Sequence, residues 1–243
     1  MKLEIIGFNI ESCAIAQQAG ANRIELCDNP EEGGTTPSFG FIMAARKMLT
    51  IELCVMIRPR GGDFLYSDDD FTIMKTDINI CKQLGCDGIV TGILTEEGNI
   101  DKQRCKELVD LAYPLGVTFH RAFDKTAEPF LALEDIIETG FERILTSGQH
   151  ATVLEGAKVV RELILKAEDR ISIMPGSGIS ADNIITIAEI TGATEFHSSA
   201  RMIKESKMKN GHSLPGEKTH HIIVNGEAVK NMTTLLKNFA SGK

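Results

Sequence analysis

The chain has no tryptophan and only 2 tyrosines in 243 residues, so its core is built from aliphatic side chains with some Phe and Met. It has no run of apolar residues long enough to span a bilayer, which excludes a membrane helix. It has no basic run either. With 26 Lys and Arg against 34 Asp and Glu, the net charge is −8. A phosphate backbone or an anionic lipid surface would be repelled, so neither nucleic acid nor membrane is an expected partner. None of the six cysteines, Cys13, Cys27, Cys54, Cys81, Cys86 and Cys105, forms a C-x-x-C pair. The opening MKLEIIGFNIESC lacks the apolar run and small-residue cleavage site of a secretory leader and reads as a first strand. Reduced thiols and a cytoplasmic location follow as expectations.

What the sequence does have is alternation. Short apolar runs recur, each followed by a longer segment of helical period. The strand-like runs are Leu3–Asn9, Arg23–Cys27, Ile51–Ile57, Gly88–Gly92, Gly116–Arg121, Glu142–Gly148, Ile171–Gly178 and Thr194–Ser199. Helices are expected near residues 10–19, 39–48, 68–84, 102–113, 130–139, up to 167, from Ser180 or Ala181, and over 228–239. Eight such units in a row predict an α/β fold, a single (β/α)₈ TIM barrel over residues 1–243. A doubly wound sheet would carry a glycine fingerprint after its first strand, where this chain has FNIES. Residues 200–225 break the rhythm and read as a long polar loop before the last helix, on the face that carries the site. Cys13, Cys81, Cys86 and Cys105 are expected on helices as small buried residues, and Cys54 in mid-strand.

In this fold the chemistry sits at the C-terminal ends of the strands. Arg58, Arg60, Arg121 and Arg201 fall there, suited to holding a carboxylate or phosphate. They can equally pair with Glu25, Asp63 and Asp124. Loops TSG and PGSG add Ser147, Gly148, Gly176 and Gly178 to the anion-binding candidates, because glycine amides near a helix start can cradle an oxyanion. His120 and Glu25 are the candidate acid and base, and Asp124 would orient a neighbour. Residues two apart on a strand share a face, so Glu195 and His197 form a further acid–base candidate pair. Glu4, deep in the first strand, reads as structural. Cys27 beside a histidine offers a soft ligand for Cu(I) or zinc. His220-His221 reads as a solvated loop pair.

The runs RIELC, GGTTPS, MIRPRGGDF, DGIVTG, VTFHRAFD, FERILTSG and ATEFHSSAR resemble, in order and spacing, the motifs of the CutC copper-homeostasis family. The resemblance covers about residues 2–201. It implies a cytoplasmic (β/α)₈ barrel linked to copper tolerance. The Cu(I) site proposed in that family uses two cysteines, one in the first strand and one ending RIELC. The second is Cys27 here, while the first falls at Ile6, so this chain departs from that pattern.

Two functions therefore stand side by side. The resemblance implies a copper-homeostasis protein binding Cu(I) through Cys27. The residues themselves suggest a barrel enzyme acting by acid–base catalysis on a small anionic ligand, such as a phosphorylated metabolite. A non-catalytic scaffold fits less well, because buried polar groups without a role cost stability. A homo-oligomer is compatible with either.

Overall fold

The computed structural model of the chain describes residues 1–208 and 220–242. Strands β1 (Lys2–Gly7), β2 (Arg23–Leu26), β3 (Glu52–Met56), β4 (Gly88–Thr91), β5 (Gly116–Phe119), β6 (Arg143–Thr146), β7 (Ser172–Pro175) and β8 (Glu195–Ser198) form one parallel sheet. Its order runs from β7 down to β1 and then β8, and β7 lies against β8 to complete a nearly closed barrel. Helices α1 (Ile10–Gln18), α2 (Phe39–Met48), α3 (Asp68–Gln83), α4 (Lys102–Ala112), α5 (Pro129–Thr139), α6 (Ala157–Ala167), α7 (Ile184–Thr191) and α8 (Gly226–Ala240) surround it. Side chains start several of them. Asn9 accepts from the Ser12 amide at α1, Ser38 from Phe41 at α2, and Asp101 from Arg104 at α4, while Ser67 and Asp70 form a reciprocal cap on α3. A second, antiparallel sheet pairs β9 (Arg201–Glu205) with β10 (His220–Val224).

Two apolar cores result. The larger lies between strands and helices and holds the outward residues Ile5, Ile24, Leu53, Ile89 and Ile144. The smaller lies inside the barrel and consists of Ile6, Cys27, Cys54, Met56 and Val90, with Phe8 against it. Beneath this inner cluster the barrel is filled with ions rather than hydrocarbon. Arg23, 1% exposed, donates to Glu4, to Glu52 at 3.1 Å, to Glu195 at 2.7 Å and to the Met174 sulfur at 3.4 Å. Arg143 reaches the same Glu195 at 2.7 Å and Thr118 at 3.0 Å. Residues of β1, β2, β6 and β8 can meet in this way only across the barrel interior. Burial of such charges costs several kcal/mol per ion, and only a fully hydrogen-bonded arrangement offsets it. Here it does. Burial opposes ionisation of Glu4, yet Arg23 and His197 together hold its carboxyl down to about 2.

Several boundaries differ from the sequence reading. α7 begins at Ile184, because Asn183 ties down the residues before it: its side chain accepts from the Ser180 amide at 2.9 Å and donates to the Gly178 carbonyl at 2.8 Å. Cys86 is buried in the turn after α3, not on a helix. All six cysteines are free and buried. The segment 200–225, read as a loop, starts and ends in the β9–β10 hairpin, and residues 209–219 lie outside the described residues. The hairpin is braced on α1. Asn9 donates to the Ile222 carbonyl at 2.8 Å, the Val224 amide to Ser12 Oγ at 3.1 Å, and Lys204 to Glu11 at 2.5 Å. His220 and His221 are thus strand residues of this hairpin.

Arg23→Leu strands Glu4 without its cation, so it is expected to destabilise the fold by about 3–5 kcal/mol in urea unfolding. Lys2→Ala removes only the exposed partner of Glu52, and its cost should stay below about 1 kcal/mol. Equal costs for the two would contradict the interior network.

Candidate functional site

The C-terminal mouth of the barrel opens into a cavity of ≈ 650 Å³. Its floor is β8 and β2. His197, at the end of β8, lies opposite Glu4 in the β1–β8 register, and its Nδ1 is 2.7 Å from Glu4 Oε1. That leaves Nε2 facing Glu25 Oε2 at 3.8 Å. The other Glu25 oxygen, Oε1, is buried with no hydrogen-bond partner among the described residues. Burial is the main reason that the Glu25 carboxyl is pushed up to about 7; the charge of His197 opposes the shift and that of Glu4 adds to it. His197 moves the same way. Burial works against its charged form, but Glu25 and Glu4 outweigh burial and raise it above the usual imidazole range. Glu25 and His197 therefore titrate as an interacting pair at the cavity floor, each binding its proton more tightly than it would in water.

His120 forms one wall. The Ala122 amide donates to its Nδ1 at 3.3 Å, which places the ring proton on Nε2, and Nε2 has no partner among the described residues. Burial, then the nearby Arg58 charge, push His120 down to about 3, so it is a neutral hydrogen-bond donor. Phe64 packs on the ring with centroids 4.8 Å apart. Gly92 makes room for it: a Cβ there would lie 2.9 Å from His120 Nδ1.

Arg58 is 4% exposed. It donates to the carbonyls of Glu32 at 2.6 Å, Gly34 at 2.8 Å and Gly62 at 2.8 Å, and its guanidinium lies over Phe64. No carboxylate pairs with it among the described residues. Its charge is buried, solvated by backbone carbonyls and the face of Phe64, and it lines the cavity. Lys125 and Arg201 also line the cavity without an ion pair among the described residues, and the acidic Glu32 partly offsets them. The Gly178 amide, at the rim, has no acceptor among the described residues. The mouth is thus a positive patch on an acidic protein.

The remaining sequence candidates divide. Gly178, Arg121 and Asp124 line the cavity. Asp124, however, accepts from Thr146 Oγ1, from the Ser147 and Gln149 amides and from Arg121 Nε at 2.7 Å. It fastens the loop after β6 and orients neither His120 nor Glu25. Ser147 is fully buried under Arg121 and Asp124. The Gly148 amide is spent on Thr146 Oγ1 and the Gly176 amide on the Thr146 carbonyl, so none of these three can receive a ligand. Arg60 turns away, to Asp63 at 2.9 Å and Asp70 at 3.4 Å. Glu195 is not the acid–base partner of His197: it lies a layer lower, between Arg23 and Arg143, and these hold its carboxyl down against burial. The partner is Glu4, which the sequence reading had placed in a structural role. Phe64 and Lys125 also line the cavity without having been singled out.

Metal-binding capacity follows from the same geometry. Glu4, Glu25 and His197 bring ligand atoms within 4.8 Å of one another, the three-residue cluster found among the described residues. With Nδ1 spent on Glu4 and Glu4 spent on Arg23, a cation would find only His197 Nε2 and Glu25. These are nitrogen and oxygen donors, whereas Cu(I) prefers sulfur. Cys27 belongs to no such cluster. It is fully buried behind Gly34 and Met56, and burial together with Glu25 raises its thiol well above the ordinary range. The fit to a two-thiolate Cu(I) centre is therefore incomplete.

Residues 1–202 match the CutC family. A copper homeostasis protein cutC homolog from Mus musculus is 51% identical over 207 residues, 85% of this chain and 76% of that protein. A family protein CutC from Xylella fastidiosa is 41% identical over 98% of this chain and 90% of its own. The solved structure of CutC from Streptococcus agalactiae superposes with a TM-score of 0.79 at 35% identity, covering 82% of this chain and 98% of that one. A phosphoribosylanthranilate isomerase from Pyrococcus furiosus, at 13% identity and TM-score 0.59, shares the barrel alone.

The raised Glu25 carboxyl has a measurable consequence. A carboxyl that binds its proton more tightly when folded stabilises the fold below the unfolded value of 4.5 and loses that contribution as pH rises through about 7. Glu25→Gln should therefore gain stability relative to the parent between pH 4.5 and 8, by on the order of 3 kcal/mol. Urea unfolding at the two pH values measures it, and a pH-independent difference would contradict the assignment.

Proposed function

The chain belongs to the CutC family, and on that footing we propose that its barrel mouth carries out proton transfer on a small organic anion. One observation carries the reading. Among the described residues, Glu25 Oε1 and His120 Nε2 are buried polar atoms without partners, both on residues that line the cavity, and the buried guanidinium of Arg58, which pairs with no described carboxylate, lines it too. Unsatisfied groups of this kind are costly in a structure that has nothing to place on them. A ligand with an anionic group and a carbonyl or hydroxyl would satisfy all three.

In this reading Arg58, Lys125, Arg201 and the Gly178 amide attract the anion. His120 donates a hydrogen bond from Nε2 to an oxygen on which charge develops. Glu25 takes or gives the proton, because its affinity sits near neutral pH, where an acid–base group is most effective. His197 Nε2 faces Glu25 and tunes it by charge, and Glu4 keeps the imidazole in place through Nδ1. Arg121 and Asp124 hold the rim. The test is exchange at carbon. Incubated in D₂O with a panel of phosphorylated sugars and 2-oxo acids, the protein should wash deuterium into at least one of them, as read by proton NMR. Glu25→Gln should slow that exchange at least 100-fold. A folded protein that exchanges none of them would remove the catalytic half of the proposal.

A second reading, Cu(I) handling in the cytoplasm, draws on the family's name and one feature of the inner core. A Cβ on Gly34 would lie 3.2 Å from Cys27 Sγ and 3.6 Å from Met56 Cε, so a thiol and a thioether flank one point. Both are soft donors. Here Cu(I) is cargo, and the reduced protein should withhold it from a competing chelator under anaerobic conditions, one ion per chain. Cys27→Ser should abolish this. Binding no tighter than that of an unfolded cysteine peptide would remove the copper reading and leave the anion reading untouched.

A further inference from the structure

Beside the mouth lies a groove of ≈ 540 Å³ beneath the β9–β10 hairpin. Phe8, Pro30 and Arg201 line both spaces, so the two adjoin along a common wall. Arg201 is the one charged residue on that wall, it is exposed, and its guanidinium has no ion pair among the described residues. We propose that the groove is a second subsite, which takes an uncharged apolar or aromatic group attached to the anion held at Arg201. The inference rests on reading the mouth as an anion site and adds the shape of the ligand to it.

Three features of the groove support this. Its walls include Phe8, Pro30, Met202, Ile203 and Ile222. Met202 is 45% exposed and Ile203 58% exposed, large apolar side chains standing in water at the edge of a cavity. They are not needed to hold the hairpin in place, since backbone and ionic contacts to α1 already do that. A two-stranded ribbon that keeps apolar side chains exposed in this position is arranged to cover something. Size is consistent as well: either space alone is within the range of a small-molecule site, and a bare phosphate or short carboxylate would fill neither.

The test compares two esters that share an anion. Methyl phosphate and phenyl phosphate are titrated calorimetrically into the full chain. Phenyl phosphate is expected to bind at least tenfold more tightly. Ile203→Ser combined with Met202→Ser should cut that advantage to within twofold and leave methyl phosphate unchanged. Arg201→Ala should weaken both esters at least fivefold. Both hairpin side chains are exposed, so the double variant should keep the parent's melting temperature; Ile203→Ser alone is the fallback if it does not. Equal affinity of the two esters in the parent, or an advantage that survives the serine variants, overturns the second subsite while leaving the anion site standing. No binding of methyl phosphate removes the anion reading itself, and this inference with it.

Discussion

The contact on which the rest of the molecule depends is the one between Arg23 and Glu4 inside the barrel. A guanidinium 1% exposed can exist there only because Glu4, Glu52 and Glu195 surround it. In return it fixes one oxygen of Glu4 and keeps that carboxyl ionised. The other oxygen is then free to anchor His197 Nδ1, which turns Nε2 toward Glu25. Burial dominates the proton affinity of Glu25, and the Arg23–Glu4–His197 chain fixes the charges that modulate it. Buried ionic networks are seldom a source of net stability compared with well-packed hydrocarbon. This one makes more sense as the foundation of a site whose acid–base groups must not drift.

The upper layer is built on a different logic. Arg58 uses backbone carbonyls from the loops after β2 and β3, where a paired arginine would use carboxylates. It thereby ties those loops together and leaves its charge uncancelled at the mouth. The loop after β6 is fastened by Asp124, which does cancel Arg121. The two arginines look equivalent in the sequence and serve opposite ends: one is spent on structure, the other leaves a field in the cavity. Cys27 belongs to neither layer. Gly34 and Met56 close over it, which explains why a residue so suggestive in the sequence lies away from the cavity.

Much of the fold was legible because alternation of short apolar runs with capped helical segments leaves few other arrangements. The family followed from seven motifs. Within the site, placement at the cavity was legible where geometry is local. His120, Glu25 and His197 end strands, and in a barrel strand ends face the mouth. The reading failed where geometry is set by closure. Glu195 and His197 do share a face, but two residues along a strand is about 6–7 Å, enough to put them in different layers. The partner of His197 comes from β1, through a β8–β1 register that no local pattern encodes. The arginines failed for a related reason: position at a strand end does not say which way a long side chain turns, and Arg60 turned outward to Asp63 and Asp70. The 200–225 stretch read as a loop because its strands, RMIKE and HHIIV, are short, the first largely exposed on both faces, and far apart in sequence.

The uncancelled charge of Arg58 also shapes how a ligand arrives. The protein as a whole carries −8, so an approaching anion is repelled at long range and attracted only near the mouth. Dissolved salt screens the two effects unequally. Beyond a Debye length of about 8 Å at physiological ionic strength the repulsion fades, while a charge recessed in the cavity keeps its pull over the last few ångströms. Added salt should then speed the encounter, the reverse of what electrostatic steering gives in a protein whose net charge and site charge favour the same ligand. A barrel mouth of this design would attract a small anion better at physiological ionic strength than in dilute buffer.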